Sequence, residues 1–260
     1  MITGETAHRL LLFTFDDGPD PRTTPILLDH LDRAGVKAIF FVTTGRFEEG
    51  TVRHREIAEL AREIVRRGHM IGHHTVTHPQ LPLLDDASIE LEVREGQRMI
   101  EEAIGYRPWL FRPPGGARSP RTDRKLAAHG YTSVLWNIGA GDFQVRSADE
   151  VVHTFGRVLD RSERDGVPGG IVLLHDTHPW SVEAFPRIIA EIRERNCQLL
   201  DRGEELFDIV DDLAYFHAPL AGDDPSLEAP PAAPSSEALA ERQRRLREEY
   251  TARCDAYASR

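Results

Sequence analysis

Asp16 and Asp17 stand side by side where the apolar run RLLLFTF ends, and His74 and His78 stand four apart in GHHTVTHP. Two imidazoles at that spacing reach one side of a helical turn, and a carboxylate would complete a three-ligand set with one position left open for water. An open position is what separates a catalytic metal site from a structural one. His73, directly before the pair, is a rival ligand, but Pro79 behind His78 and the spacing itself favour His74 and leave His73 a structural part. His175 follows the apolar IVLL and precedes Asp176, so its imidazole should project from a strand end into the same space, placed to act as a general acid. Arg112, in FRPPGG, would lower the pKa of a carboxylate base beside it and set its orientation. Taken singly, each feature has an ordinary explanation: paired carboxylates cap turns, and a chain with 12 histidines produces four-residue spacings by chance.

The elements that must carry these residues add weight to them. Residues 9–15 read as a buried strand broken by Gly18 and Pro19, which puts both carboxylates at its C-terminal end. Thr23 and Thr24 can cap a helix that runs to Ala34, with Pro25 in its first turn and Gly35 just after its end. Further strands are expected at 36–43, 70–72, 110–111, 131–136, 171–174 and 197–200, alternating with helices at 53–67, 86–104, 119–129, 147–160 and 182–195. Such alternation implies parallel βαβ units, and the expected fold is α/β, a distorted (β/α) barrel of about seven parallel strands. An open doubly wound sheet is the competing arrangement. Barrels collect their chemistry at the C-terminal ends of the strands, where Asp16-Asp17, His73-His74, Arg112 and His175-Asp176 all fall, and this favours the barrel.

Four segments together form a specific pattern: TFDDGPD at Thr14 to Asp20, HTVTH at His74 to His78, RPPGG at Arg112 to Gly116 and LLHD at Leu173 to Asp176. On these motifs the chain resembles the polysaccharide deacetylases with a NodB-homology domain, a carbohydrate esterase family, over roughly residues 10–216. The resemblance implies Asp16 as general base, Asp17, His74 and His78 as ligands of one divalent metal, and His175 as general acid. It implies zinc first, with cobalt or another divalent ion open. Leu173 would line the pocket for the acetyl methyl group, and the turn holding Pro114 and Gly115 would offer a backbone N–H to the oxyanion. The implied reaction is removal of N-acetyl groups from a GlcNAc-containing polymer such as peptidoglycan, chitin or an exopolysaccharide. O-acetyl removal from xylan is a weaker member of the same chemistry. A small-molecule amidohydrolase and a non-catalytic carbohydrate-binding protein are the rival readings.

The chain departs from the family pattern in two motifs. Gly115 stands where an aromatic residue is usual, which implies a wider groove. In WNIGAGDF, Gly139, Asp142 and Phe143 stand where the family has two acids ahead of a Trp. Without an acid at 139, Arg112 must pair with Asp16 directly or reach Asp142, which is expected to support the reacting groups from behind. Trp136 fits the core or a pocket wall equally well, and His178 and Trp180 would either stack on a sugar ring or simply order a loop.

With 260 residues, 40% of them hydrophobic and 29% charged, the composition is that of an ordinary soluble globular protein. A formal net charge of -11 argues against a nucleic-acid partner, whose phosphates call for clustered Lys and Arg. No stretch approaches the roughly 18 apolar residues of a membrane span, and residues 1–10 lack the features of a secretory signal. The resemblance nevertheless implies the cell envelope or secretion. Residues 1–217 are expected to form the deacetylase barrel and 218–236, rich in Pro and Ala, a linker. Residues 237–260 are expected as a charged helix that docks on the barrel, pairs with a second copy or frays. Cys197 and Cys254 are expected as free thiols, a bridge pinning the tail to the body being the alternative.

Overall fold

A computed structural model describes residues 1–47, 52–216 and 234–258. The elements follow in the order β1 (Leu10–Asp16), α1 (Thr24–Ala34), β2 (Ala38–Val42), α2 (Val52–Arg66), β3 (Met70–His73), α3 (Asp86–Ile104), β4 (Leu110–Phe111), α4 (Pro120–Ala128), β5 (Thr132–Ser133), β6 (Ile138–Gly139), α5 (Ala148–Arg164), β7 (Gly170–His175), α6 (Pro179–Asp201), β8 (Asp208–Ile209) and α7 (Ser236–Ala258). The apolar LLLFTFD of β1 is buried at every position, as a strand covered on both faces must be. Around it the strands pair in the order β5-β4-β3-β2-β1-β7-β6, all in parallel. One edge of β1 is taken by β7, and the other is shared, with β8 beside Leu10 and Leu11 and β2 beside Phe13 to Asp16.

The sheet is a distorted (β/α) barrel, open between β5 and β6. At that opening the N-terminal segment fits in: Ile2 donates its N–H to the Ser133 carbonyl at 2.8 Å and accepts from the Leu135 N–H at 2.8 Å. Register does the positioning. Asp16 lies level with Phe41 of β2 and His175 of β7, while His73 lies level with Val42 and Phe111, so the C-terminal strand ends share one rim.

Beneath the rim, Phe13 and Phe15 pack edge-on against Phe185 of α6, and Phe15 stacks on Phe40. Burying each such ring stabilises the fold by about 1.5–3 kcal/mol. Leu27, Leu28 and Leu31 face inward from α1, and Phe185, Ile188, Ile189, Ile192 and Leu199 do so from α6.

Two expectations need correction here. Residues 197–200 are not the last strand: Leu199 continues the inward face of α6, and the last strand is the two-residue β8. Cys197 and Cys254 are not free but form a disulfide with a Cα–Cα distance of 5.8 Å, which ties α7 to α6. The tail helix docks on the barrel. Arg242 forms a two-point ion pair with Asp208 at 2.7 and 3.0 Å, Gln243 exchanges hydrogen bonds with both backbone groups of Leu206, and Tyr250 is buried. Most of the expected 218–236 linker lies outside the described residues. No described helix is long and apolar enough to cross a membrane.

Candidate active site

Each side chain of the site comes from the end of a strand or from the loop that follows it. Asp16 closes β1 and is almost fully buried. Arg112, just after β4, is 0% exposed, and its guanidinium spans the rim. It donates to Asp16 Oδ1 at 2.8 Å, Thr14 Oγ1 at 2.7 Å and the carbonyls of Val134 and Leu135 at 3.1 Å each. Its charge also lies 4.1 Å from the centre of the Phe41 ring. Arg112 therefore pairs with Asp16 directly, the first of the two arrangements open to it. Burial pushes the Asp16 carboxyl above its ordinary range, while the charge and hydrogen bond of Arg112 pull it back.

Asp17, His74 and His78 converge. Asp17 Oδ1 lies 3.6 Å from His74 Nε2 and 3.4 Å from His78 Nε2, and all three atoms fall within 4.8 Å of one another. Donors about 2.0–2.2 Å from one tetrahedral ion sit roughly that far apart, and a three-residue set leaves one position free. Among the described residues, the buried Asp17 Oδ1 has no hydrogen-bond partner. His74 Nδ1 lies 2.6 Å from the Arg112 carbonyl, which can only accept, so the proton sits on Nδ1 and the Nε2 lone pair faces the cluster. This donor set fits a divalent metal.

The loop holding the histidines is not the helical turn that their spacing suggested. Thr75 and His78 have φ of 69° and 61°, and Asp17 has 75°, left-handed values that cost side chains about 1–2 kcal/mol. A kinked loop, not a helix face, brings the two rings to 4.9 Å. His73 is structural, as expected: its Nδ1 accepts from the Thr75 N–H at 2.8 Å, its Nε2–H donates to the Val93 carbonyl at 3.1 Å, and burial holds it neutral with a pKa of about 3.

His175 ends β7 with Nε2 4.0 Å from Asp17 Oδ2. Asp142 supports it from behind, accepting from His175 Nδ1 at 2.9 Å and from its backbone N–H at 2.7 Å. Burial alone would depress the imidazole, but the hydrogen bond and charge of Asp142 outweigh it and raise the pKa to about 9. Because the folded value exceeds the unfolded one near 6.5, this pair's stability is complete below pH 6.5 and is lost as pH rises through 9. Unfolding of the metal-free protein is expected to grow easier by about 3 kcal/mol across that window, and Asp142→Asn should flatten the slope. Equal slopes in urea titrations of the two proteins would contradict the assignment.

Trp180 Nε1 donates to the Asp142 carbonyl at 2.7 Å, and His178 stacks between Trp180 and His175 with ring centres at 4.8 and 5.3 Å. Leu173 is buried on β7 beside Gly139, and Phe143 is 54% exposed with its ring centre 6.1 Å from His175. Pro114 is buried in the turn after β4, and a side chain at Gly115 would meet no described residue within 4 Å. The link from Asp142 to His175, across 33 residues, carried no signal in the spacing of the chain.

A family model for polysaccharide deacetylase matches residues 3–134. The chain belongs to the polysaccharide deacetylase family. A peptidoglycan-N-acetylglucosamine deacetylase of Bacillus cereus is 28% identical to this family member over 202 residues, covering 76% of this chain and 89% of that protein. The crystal structure of a peptidoglycan N-acetylglucosamine deacetylase bound to an N-oxidanyl-benzamide superposes with a TM-score of 0.64 at 25% identity, over 80% of this chain and 88% of the other. A Bacillus anthracis pseudoenzyme of the CE4 family shares the fold at a TM-score of 0.62 and 23% identity, over 74% of this chain and 64% of the other. This deacetylase-family chain spans 64% and 39% of two further bacterial relatives, which are longer proteins. The fold therefore occurs both in deacetylases and in a pseudoenzyme.

Proposed function

We propose that the protein is a metal-dependent hydrolase that removes N-acetyl groups from a GlcNAc-containing polysaccharide, with peptidoglycan and chitin as the leading substrates. The observation that carries this reading is the meeting, at one rim, of the Asp17, His74 and His78 donors with two supported proton-transfer groups, Asp16 on Arg112 and His175 on Asp142. Asp17, His74 and His78 would hold the ion, zinc first and cobalt or another divalent ion as alternatives. When bound, it supplies Lewis-acid polarisation of the acetamide carbonyl and lowers the pKa of a water.

Arg112 fixes Asp16 Oδ1 and leaves Oδ2 free, 3.7 Å from His74 Nε2, to take the proton of the attacking water. Asp142 holds the proton on His175 Nδ1 and presents Nε2 to the leaving nitrogen, where the charged imidazole gives up a proton as the C–N bond breaks. Water's oxygen ends in acetate and the amine is released on the sugar. The backbone N–H of Gly115 and the side chain of Leu173 are assigned to the oxyanion and the acetyl methyl group. Open space at Gly115 supports a polymer over a small amide. The Cys197–Cys254 bridge supports action in an oxidising compartment, the cell envelope or outside.

The test is acetate release along a series of N-acetylglucosamine oligomers, on peptidoglycan and on small acetamides. Release is expected from the oligomers, with kcat/KM rising with chain length. Turnover confined to small acetamides would replace the polymer by a small substrate.

A further inference from the structure

We infer that Glu92 of α3 is a positioning residue for the metal, a clamp on the loop between His74 and His78. This rests on the reading of Asp17, His74 and His78 as the metal ligands. The loop's backbone groups are divided between two neighbours. From the β2 side, the N–H groups of Thr44 and Gly45 donate to the carbonyls of Thr75 and Val76 at 3.0 and 2.8 Å. From the α3 side, Glu92 Oε2 accepts from the N–H groups of Val76 and Thr77 at 2.7 and 2.9 Å, and Oε1 accepts from Thr77 Oγ1 at 2.6 Å.

Glu92 is only 8% exposed and makes no ion pair among the described residues, so its carboxylate is committed to the loop. The loop needs such a commitment. Thr75 and His78 both sit in the left-handed region, a strained conformation that persists only where its surroundings over-determine it. The helix can come this close because one turn along from Glu92 the chain has Gly96, where a Cβ would meet the His73 ring at 2.4 Å. Without the carboxylate, the N–H groups of Val76 and Thr77 lose their acceptor and the loop relaxes, carrying His78 away from Asp17 and His74.

The chemistry of the acceptor predicts which replacement works. Both N–H groups share Oε2, and the third donor is a hydroxyl, which can equally accept. A glutamine can therefore make the same contacts, its carbonyl taking the N–H pair and its amide donating to Thr77 Oγ1. A leucine makes none of them, and an aspartate is one methylene short.

The test is Zn2+ affinity, measured by competition with a chromophoric chelator, with circular dichroism and the metal-free unfolding midpoint confirming the fold. Glu92→Leu is expected to weaken Zn2+ binding by about 10–100-fold, the usual consequence of losing a group that holds a ligand in place, with Glu92→Gln restoring most of the loss. Wild-type affinity in folded Glu92→Leu would overturn the clamp. If Glu92→Leu fails to fold, Glu92→Asp takes its place, and wild-type affinity there overturns the inference equally. No Zn2+ bound by the wild type, or equal binding by His78→Ala, overturns the metal reading itself and the clamp with it.

Discussion

Asp16→Asn is expected to lower acetate release by roughly 10²–10⁴-fold, the range lost with a positioned acid or base, while Zn2+ affinity changes little. The substitution keeps the shape of the side chain and its hydrogen bond from Arg112 Nη1, now 2.8 Å from Oδ1. What it removes is the free Oδ2 as a proton acceptor. Because the amide leaves the fully buried Arg112 charge without its counter-ion, the variant is expected to lose stability, so its folding is checked before turnover is compared. Normal folding, normal metal binding and lost turnover together identify the base. A variant within tenfold of the wild type would remove Asp16 from that role.

Arg112→Met is expected to damage both stability and activity. The wild-type guanidinium neutralises Asp16 and ties three strand ends together through Thr14, Val134 and Leu135. Removing one partner of a fully buried ion pair costs about 3–5 kcal/mol, chiefly because the remaining charge is left unpaired. Asp16 can escape that cost by taking up a proton. Burial already pushes its pKa up, and without the opposing Arg112 the shift grows, so the base is increasingly neutral at pH 7. The acid limb of the kcat/KM profile should therefore move to higher pH. Arg112→Lys keeps the charge but not the fork of donors, and should fall between. An unshifted acid limb in Arg112→Met, with stability within 1 kcal/mol of the wild type, would separate Arg112 from the tuning of Asp16.

The parts of this site that the chain declares openly are those set by local physics. An apolar strand stopped by Gly18 and Pro19 puts Asp16 and Asp17 at a rim, and parallel register then brings His175 level with Asp16. His74 and His78 were found through their spacing, but the loop that unites them is left-handed at two positions and follows no helical period. The partners supplied by distant segments were hidden. Asp142 could be assigned a supporting part but not its partner, and Glu92 in the middle of a helix reads like any solvated glutamate until the loop above it is seen. The misplaced last strand has a simple cause. Cys197 to Leu200 is apolar enough for a short strand, yet Ile192, Asn196 and Leu199 keep the helical spacing and continue α6. The disulfide joins residues 57 apart, a pairing set by how α7 packs and by nothing local.

Metal-dependent deacetylation is tested by acetate released from N-acetylglucosamine oligomers and peptidoglycan by protein carrying one equivalent of Zn2+, beside the same protein stripped by chelation and then reloaded. Release by the loaded protein, loss on stripping and recovery on reloading are expected. Full loading with no release from any polymer, or release that survives stripping unchanged, would contradict metal-dependent deacetylation.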